Sequence, residues 1–115
     1  MKLKFKLHSE VYIYCSLNTN PFSEDEILFS FKEKECKTFL VPKAVAEKHN
    51  VSFNQLWAFI SVETFTSLSA IGITAHISGV LSKENIPCNM IAAFHHDYLF
   101  VPLESAKKVM IVLSK

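Results

Sequence analysis

Phe39-Leu40-Val41-Pro42 and Leu99-Phe100-Val101-Pro102 stand 60 residues apart, and each leads into a stretch of helical spacing with an alanine four positions past the proline, Ala46 and Ala106. Proline has a fixed φ and lacks a donor N–H. It is excluded from central strands and suits a helix start, so each motif reads as a strand-to-helix joint. The strands before them, 27–33 and 88–94, recur at nearly the same offset. Each half therefore ends as strand, strand, Val-Pro, helix. The second half adds a helix, 73–84, between its first two strands, where the first half has only the link 18–26. The halves read as two related modules, β-α-β-β-α and a copy whose first helix has shrunk. That is the α+β, ferredoxin-like plan: an antiparallel sheet with helices on one face. The expected halves are 1–50 and 56–115, packed as one compact unit.

Working outward, Val11, Ile13, Cys15 and Leu17 alternate with Tyr12, Tyr14 and Ser16, which predicts a strand over 11–17. Upstream, Lys2, Lys4 and Lys6 alternate with Leu3, Phe5 and Leu7 as a half-exposed strand or arm. Ser23 before Glu24, Asp25 and Glu26 can cap one short helical turn. Lys34-Glu35-Cys36 reads as a hairpin turn into a strand over 38–41. Pro42 opens a helix that Asn50 closes, and a polar linker follows to Gln55. Residues 56–65 read as a longer strand. On it Trp57 and Phe59 lie opposite Ala58, Ile60 and Val62, so the aromatic face needs a cover from the other half or a second subunit. The helix 73–84 places Ile73, Ile77, Val80 and Leu81 at helical spacing. Ser78 and Gly79 within it predict close approach to a strand. Asn85 and Pro87 end it. Strands over 88–94 and 98–101 join at His95-His96-Asp97. The last helix carries Leu103, Ala106, Val109, Met110 and Leu113 along one stripe.

Composition narrows the function. The chain has 115 residues, half of them hydrophobic and ten of them Phe, enough for a core without disulfides. Its 12 basic and 11 acidic residues leave a net charge of +1, and every basic residue is Lys. Nucleic-acid binders show a basic excess and use Arg forks, so no nucleic-acid partner is expected. The basic N-terminus lacks an apolar core segment, so neither a signal peptide nor a membrane span is read. Cys15, Cys36 and Cys88 are far apart and form no C-x-x-C pair; they read as reduced thiols of a cytoplasmic protein.

Two segments carry a family resemblance. Ser67-Leu68-Ser69-Ala70-Ile71-Gly72, within 60–75, resembles the first strand, loop and helix start of an ACT domain. Phe94-His95-His96-Asp97-Tyr98-Leu99-Phe100-Val101-Pro102, within 85–102, resembles its second and third strands. Together they are similar to small bacterial proteins built from two ACT-like modules; the first half matches in outline. The resemblance implies a non-catalytic regulatory module that binds a small molecule, an amino acid above all, where modules meet near the loop after the first strand. It also implies a homodimer, and no cofactor is expected.

The residue chemistry suits such a ligand. A helix start offers unpaired N–H groups to a carboxylate, and Ala70, Ile71, Gly72, Ile73 and Thr74 lie at one. Gly72 admits close backbone approach. Thr66, Ser67 and Ser69 supply hydroxyls. Asp97, one of only two Asp residues, can neutralise a ligand's cationic group, and Asn89 and Met90 can add polar and apolar contacts. Plainer readings stand beside these: Gly72 makes a turn, the hydroxyls cap the helix, Met90 packs in the core, and Asp97 bonds its own backbone in an Asx turn.

Other functions have weaker signals. Neighbouring strand residues face opposite sides, so His95 and His96 do not readily share a metal ion, and no metal site is expected. His76 reads as a partly exposed surface residue. An enzyme would need Cys88 activated by His95 or His96, without a supporting motif. A self-assembly module using sheet edges or the Trp57 face is the alternative to a ligand-binding one.

Overall fold

The computed structural model describes residues 2–115; Met1 lies outside the described residues. In chain order the elements are β1 (Phe5–Leu17), a 3-10 turn (Glu24–Glu26), β2 (Phe29–Lys32), β3 (Lys37–Pro42), α1 (Lys43–Lys48), β4 (Trp57–Val62), α2 (Ile73–Lys83), β5 (Asn89–Ala92), β6 (Asp97–Pro102), a second 3-10 turn (Leu103–Ser105) and α3 (Ala106–Leu113). Two compact units form. One comprises residues 2–9 with Trp57–Lys115, the other Glu10–Leu56, so β1 contributes to both. The architecture is α+β and ferredoxin-like, with antiparallel strand pairs.

The repeat is exact in register. β2 and β3 pair Phe29↔Leu40 through Lys32↔Lys37, and β5 and β6 pair Asn89↔Phe100 through Ala92↔Asp97, each residue 60 positions on. The first strands obey a different spacing. Tyr12 and Trp57 sit opposite the equivalent prolines, Pro42 and Pro102, yet are 45 residues apart while the prolines are 60 apart. The difference is room for the loop over 63–72 and α2.

In the larger unit, α2 and α3 cover one sheet face. Ala58, Ile60 and Val62 of β4 and Leu99 and Val101 of β6 meet Ile77 and Leu81 of α2 and Ala106, Val109 and Leu113 of α3. A fully buried side chain of this kind contributes roughly 1.5–3 kcal/mol. The other face carries Phe59, whose ring stacks with His8 (4.5 Å) and with Phe100 (5.0 Å); both phenylalanines are buried. His8 Nε2 lies 2.9 Å from Ser61 Oγ, and that hydroxyl donates to Glu63 at 2.6 Å. Burial first, then Lys6, lowers the His8 pKa. His8 is thus part of the aromatic face, a role that the N-terminal alternation did not disclose.

The smaller unit closes its sheet differently. Ile13, Phe39 and Val41 pack with Ala46 of α1 and with Phe22, a loop residue. Asn20 Oδ1 accepts from Phe22 N–H at 2.8 Å, an Asx turn that aims the ring inward. The ring meets Phe39 edge-on at 5.4 Å.

Helix ends follow the expected chemistry with two differences. Asn50 and Asn85 have φ of 55° and 60° and close α1 and α2 in Schellman geometry, with Val51 N–H donating to Ala46 (2.9 Å) and Ile86 N–H to Leu81 (3.0 Å). Pro42 precedes α1 as its N-cap, and Pro102 is followed by a 3-10 turn before α3 begins. The close approach expected at Gly79 is absent. Nothing lies within 4 Å of where its Cβ would stand, because at 100° per residue it faces away from Ile77.

Candidate functional site

β4 ends at Val62, and the chain crosses to α2 through a loop whose first part is tied down twice. Glu63 N–H donates to Lys4 O at 2.7 Å, and Thr66 N–H to His95 O at 3.3 Å. Ser67 organises the middle: its Oγ accepts from Ser69 N–H at 3.0 Å, and its carbonyl accepts from Ala70 N–H at 3.0 Å. Gly72 then enters the left-handed region at φ 92° and serves as N-cap of α2. It has no side chain to offer, so no side-chain cap engages the first turn. The N–H groups of Ile73, Thr74 and Ala75 point out of the helix start, the positive end of its dipole.

Opposite them lies Asp97. It is the first residue of β6 and pairs with Ala92; the hairpin tip is residues 93–96, closed by Ala93 N–H to His96 O at 3.0 Å. Asp97 is only 8% exposed. Among the described residues nothing hydrogen-bonds to or ion-pairs with its carboxylate, so the Asx turn does not form. Its oxygens are nevertheless open rather than sealed: among the described residues the buried side-chain oxygen without a partner is Thr66 Oγ1, and Asp97 lines a cavity.

The two features share one cavity of about 170 Å3. It is smaller than the roughly 300–1,000 Å3 of drug-sized pockets. Of the sequence candidates, Ser67, Ala70, Gly72, Ile73, Thr74 and Asp97 line it. Leu68, Ala75 and Ala92, which the sequence did not single out, complete the wall. Ala92 could have been found from the hairpin register, since it stands opposite Asp97. Thr66, Ser69, Ile71, Asn89 and Met90 do not line it. Thr66 is buried beneath the loop with Oγ1 unpartnered. Ser69 is exposed, and Ile71 is 94% exposed. Asn89 is exposed and stands opposite Phe100 at the far end of β5, and Met90 packs against the core.

One acid and a helix start without a side-chain cap thus line one cavity and present opposite polarity to it. Cys88 is ill placed for chemistry, because burial pushes its thiol up to about 11 and leaves little thiolate at neutral pH. The His95 and His96 rings are 6.5 Å apart and tilted. No group of three or more metal-ligating side chains gathers among the described residues.

Family models for the ACT domain match residues 52–115 and residues 1–58. ACT domains are in general regulatory, ligand-binding modules. Among solved structures, a Vibrio cholerae protein of unknown function, described as a possible transport protein, superimposes with a TM-score of 0.86 at 27% identity, covering 95% of this chain and 85% of that one. An Agrobacterium tumefaciens protein gives 0.76 at 13% identity, covering 99% and 88%. A structure of aspartokinase alpha and beta subunits gives 0.64 at 12% identity, covering 98% and 95%. None of the curated protein sequences matches.

Proposed function

Since the chain belongs to the ACT domain family, we propose that it is a non-catalytic regulatory protein that binds a free amino acid between Asp97 and the start of α2. The observation that carries this reading is that Asp97, a largely buried residue whose carboxylate bonds no described residue, lines one cavity with a helix start that has no side-chain cap. A zwitterion satisfies both: its ammonium takes Asp97, and its carboxylate takes the N–H groups of Ile73 and Thr74. Ser67 Oγ already accepts from Ser69 and still has its own proton to donate. The three cysteines are free thiols, which suits a reducing, cytoplasmic setting.

A thermal-shift screen against the twenty amino acids tests the reading. A ligand at a hundred times its dissociation constant adds about 2.7 kcal/mol, enough to move the midpoint by several degrees. The expected result is a selective shift that Asp97→Ala abolishes. No shift across the panel, or one that survives Asp97→Ala, overturns it.

A second reading, self-assembly, is favoured by one cluster. Phe65, Leu68, Ile71 and Phe94 are all strongly exposed, and Phe65 and Phe94 flank the His95 ring at 6.4 and 5.0 Å. We read this collar around the cavity mouth as the contact of a homodimer. Light scattering at micromolar concentration is expected to give twice the chain mass, and a monomer would rule the dimer out.

A further inference from the structure

A second, larger hollow lies in the same unit, where the start of β1 passes His76 in the first turn of α2 and the end of α3. Its volume is about 930 Å3, within the range of pockets that take drug-sized ligands. Leu3, Phe5, Met110 and Leu113 give it an apolar floor, continuous with the core of the unit. Lys2, Lys4 and Lys115 stand on its rim, and no Asp or Glu side chain joins them among the described residues. The nearest acid along the chain, Glu63, is held by the Ser61 hydroxyl on the other sheet face. Thr64 Oγ1 accepts from Lys4 N–H at 3.0 Å and keeps its own proton to donate. Apolar floor, cationic rim and a free hydroxyl donor are the complement of an anionic amphiphile.

We infer that this hollow binds a single-chain fatty carboxylate, with the alkyl chain on Leu3, Phe5 and Met110 and the head group among the lysines. The site is separate from the Asp97 cavity, whose one acidic side chain would repel such a head group. It therefore stands or falls apart from the amino-acid reading.

The experiment uses the full chain with 13C-labelled methionine methyls, titrated with hexanoate, octanoate and decanoate below their micelle concentrations. The Met110 methyl is expected to shift while Met90, on β5, stays still. Affinity is expected to rise roughly fourfold per added methylene, the factor for burying one CH2. Decylamine is expected not to bind. The double variant Lys2→Glu with Lys4→Glu changes only exposed side chains and is expected to weaken decanoate at least tenfold. An unmoved Met110 overturns the inference. So does a Met90 shift, an affinity independent of chain length, or equal binding of decylamine.

Discussion

The two units build one hairpin twice, in one register, and cover it by opposite means. In the larger unit α2 lies over the sheet through Ile77 and Leu81, and its start is left uncapped. In the smaller unit a single ring, Phe22, takes that place, and the link around it leaves few polar groups unspent. Asn20 holds Phe22 N–H. The Glu26 carboxylate accepts from Ser23 N–H, Lys48 Nζ and His49 Nε2, each at 3.0 Å. The position equivalent to Asp97 is Lys37, which is exposed. The smaller unit thus closes on itself, whereas the larger one keeps an acid and a helix start unmatched. A fold repeated within one chain needs only one copy to hold a ligand. The other is free to trade open polar groups for internal bonds.

The sharpest break would be to remove the ring that substitutes for a helix. Phe22→Ala is expected to cost about 3–5 kcal/mol, because a buried Phe leaves a cavity that few neighbours can fill. Urea denaturation measures it. A loss under 1 kcal/mol would mean that Phe22 only rests on the sheet, and that the two coverings are not equivalents.

Next comes the acid. Asp97→Ala is expected to weaken the amino acid found in the screen at least 30-fold, since one partner of a buried charge pair costs about 2–5 kcal/mol to remove. Lys37→Ala, its counterpart, is expected to leave affinity unchanged by calorimetry. The ligand-free protein should melt at nearly the same temperature with Asp97→Ala, because the carboxylate opens to a cavity and bonds no described residue. Lower melting would mean that the carboxylate already has a stabilising role.

Gly72 tests whether the uncapped helix start depends on its left-handed turn. At φ 92° a Cβ meets no atom within 4 Å, so Gly72→Ala is strained by conformation alone, by about 1–2 kcal/mol. Asn50, in the matching conformation at the end of α1, already carries a side chain at φ 55°. Asn50→Gly is expected to change stability by only a few tenths of a kcal/mol. If Gly72→Ala is equally mild, the turn is more tolerant than its φ implies.

What could be read in advance follows from where the physics is local. The Val-Pro joints announced the repeat because proline constrains its own φ whatever surrounds it. Gly72 and the helical spacing of Ile77 and Leu81 announced α2. Asp97 drew notice by its rarity, but not its burial. That depends on a tip at 93–96, which ends one residue before the His-His-Asp run does and so starts β6 on Asp97 itself. Ala75 and Ala92 carry no chemistry of their own and become walls only through what faces them. Asn89 was expected to add a polar contact from the strand before the hairpin, while the register puts it opposite Phe100. Phe22 was not singled out in the sequence, because its target, Phe39, lies far along the chain. Nor did the sequence join the arm over 2–7 to the strand over 11–17. Ser9 interrupts the apolar alternation there, yet β1 is continuous from Phe5.

The smallest effect belongs to the clasp on Glu26. The bond from Ser23 N–H, then Lys48, then His49, holds its carboxyl down at about 2, from an ordinary 4.5. The unfolded chain therefore takes up this proton as pH falls past 4.5, while the folded chain resists until about 2. The stabilisation is complete above 4.5 and drains away between those limits. Glu26→Gln removes the difference in proton uptake, so its denaturation midpoints should run flatter than wild type between pH 4.5 and 2. At pH 7 the variant should be only slightly less stable, because Lys48 is largely exposed and water screens the pair. Parallel pH profiles for the two proteins would mean that the clasp orders the link without stabilising the fold. The closed character of the smaller unit would then rest on its apolar packing, Phe22 included.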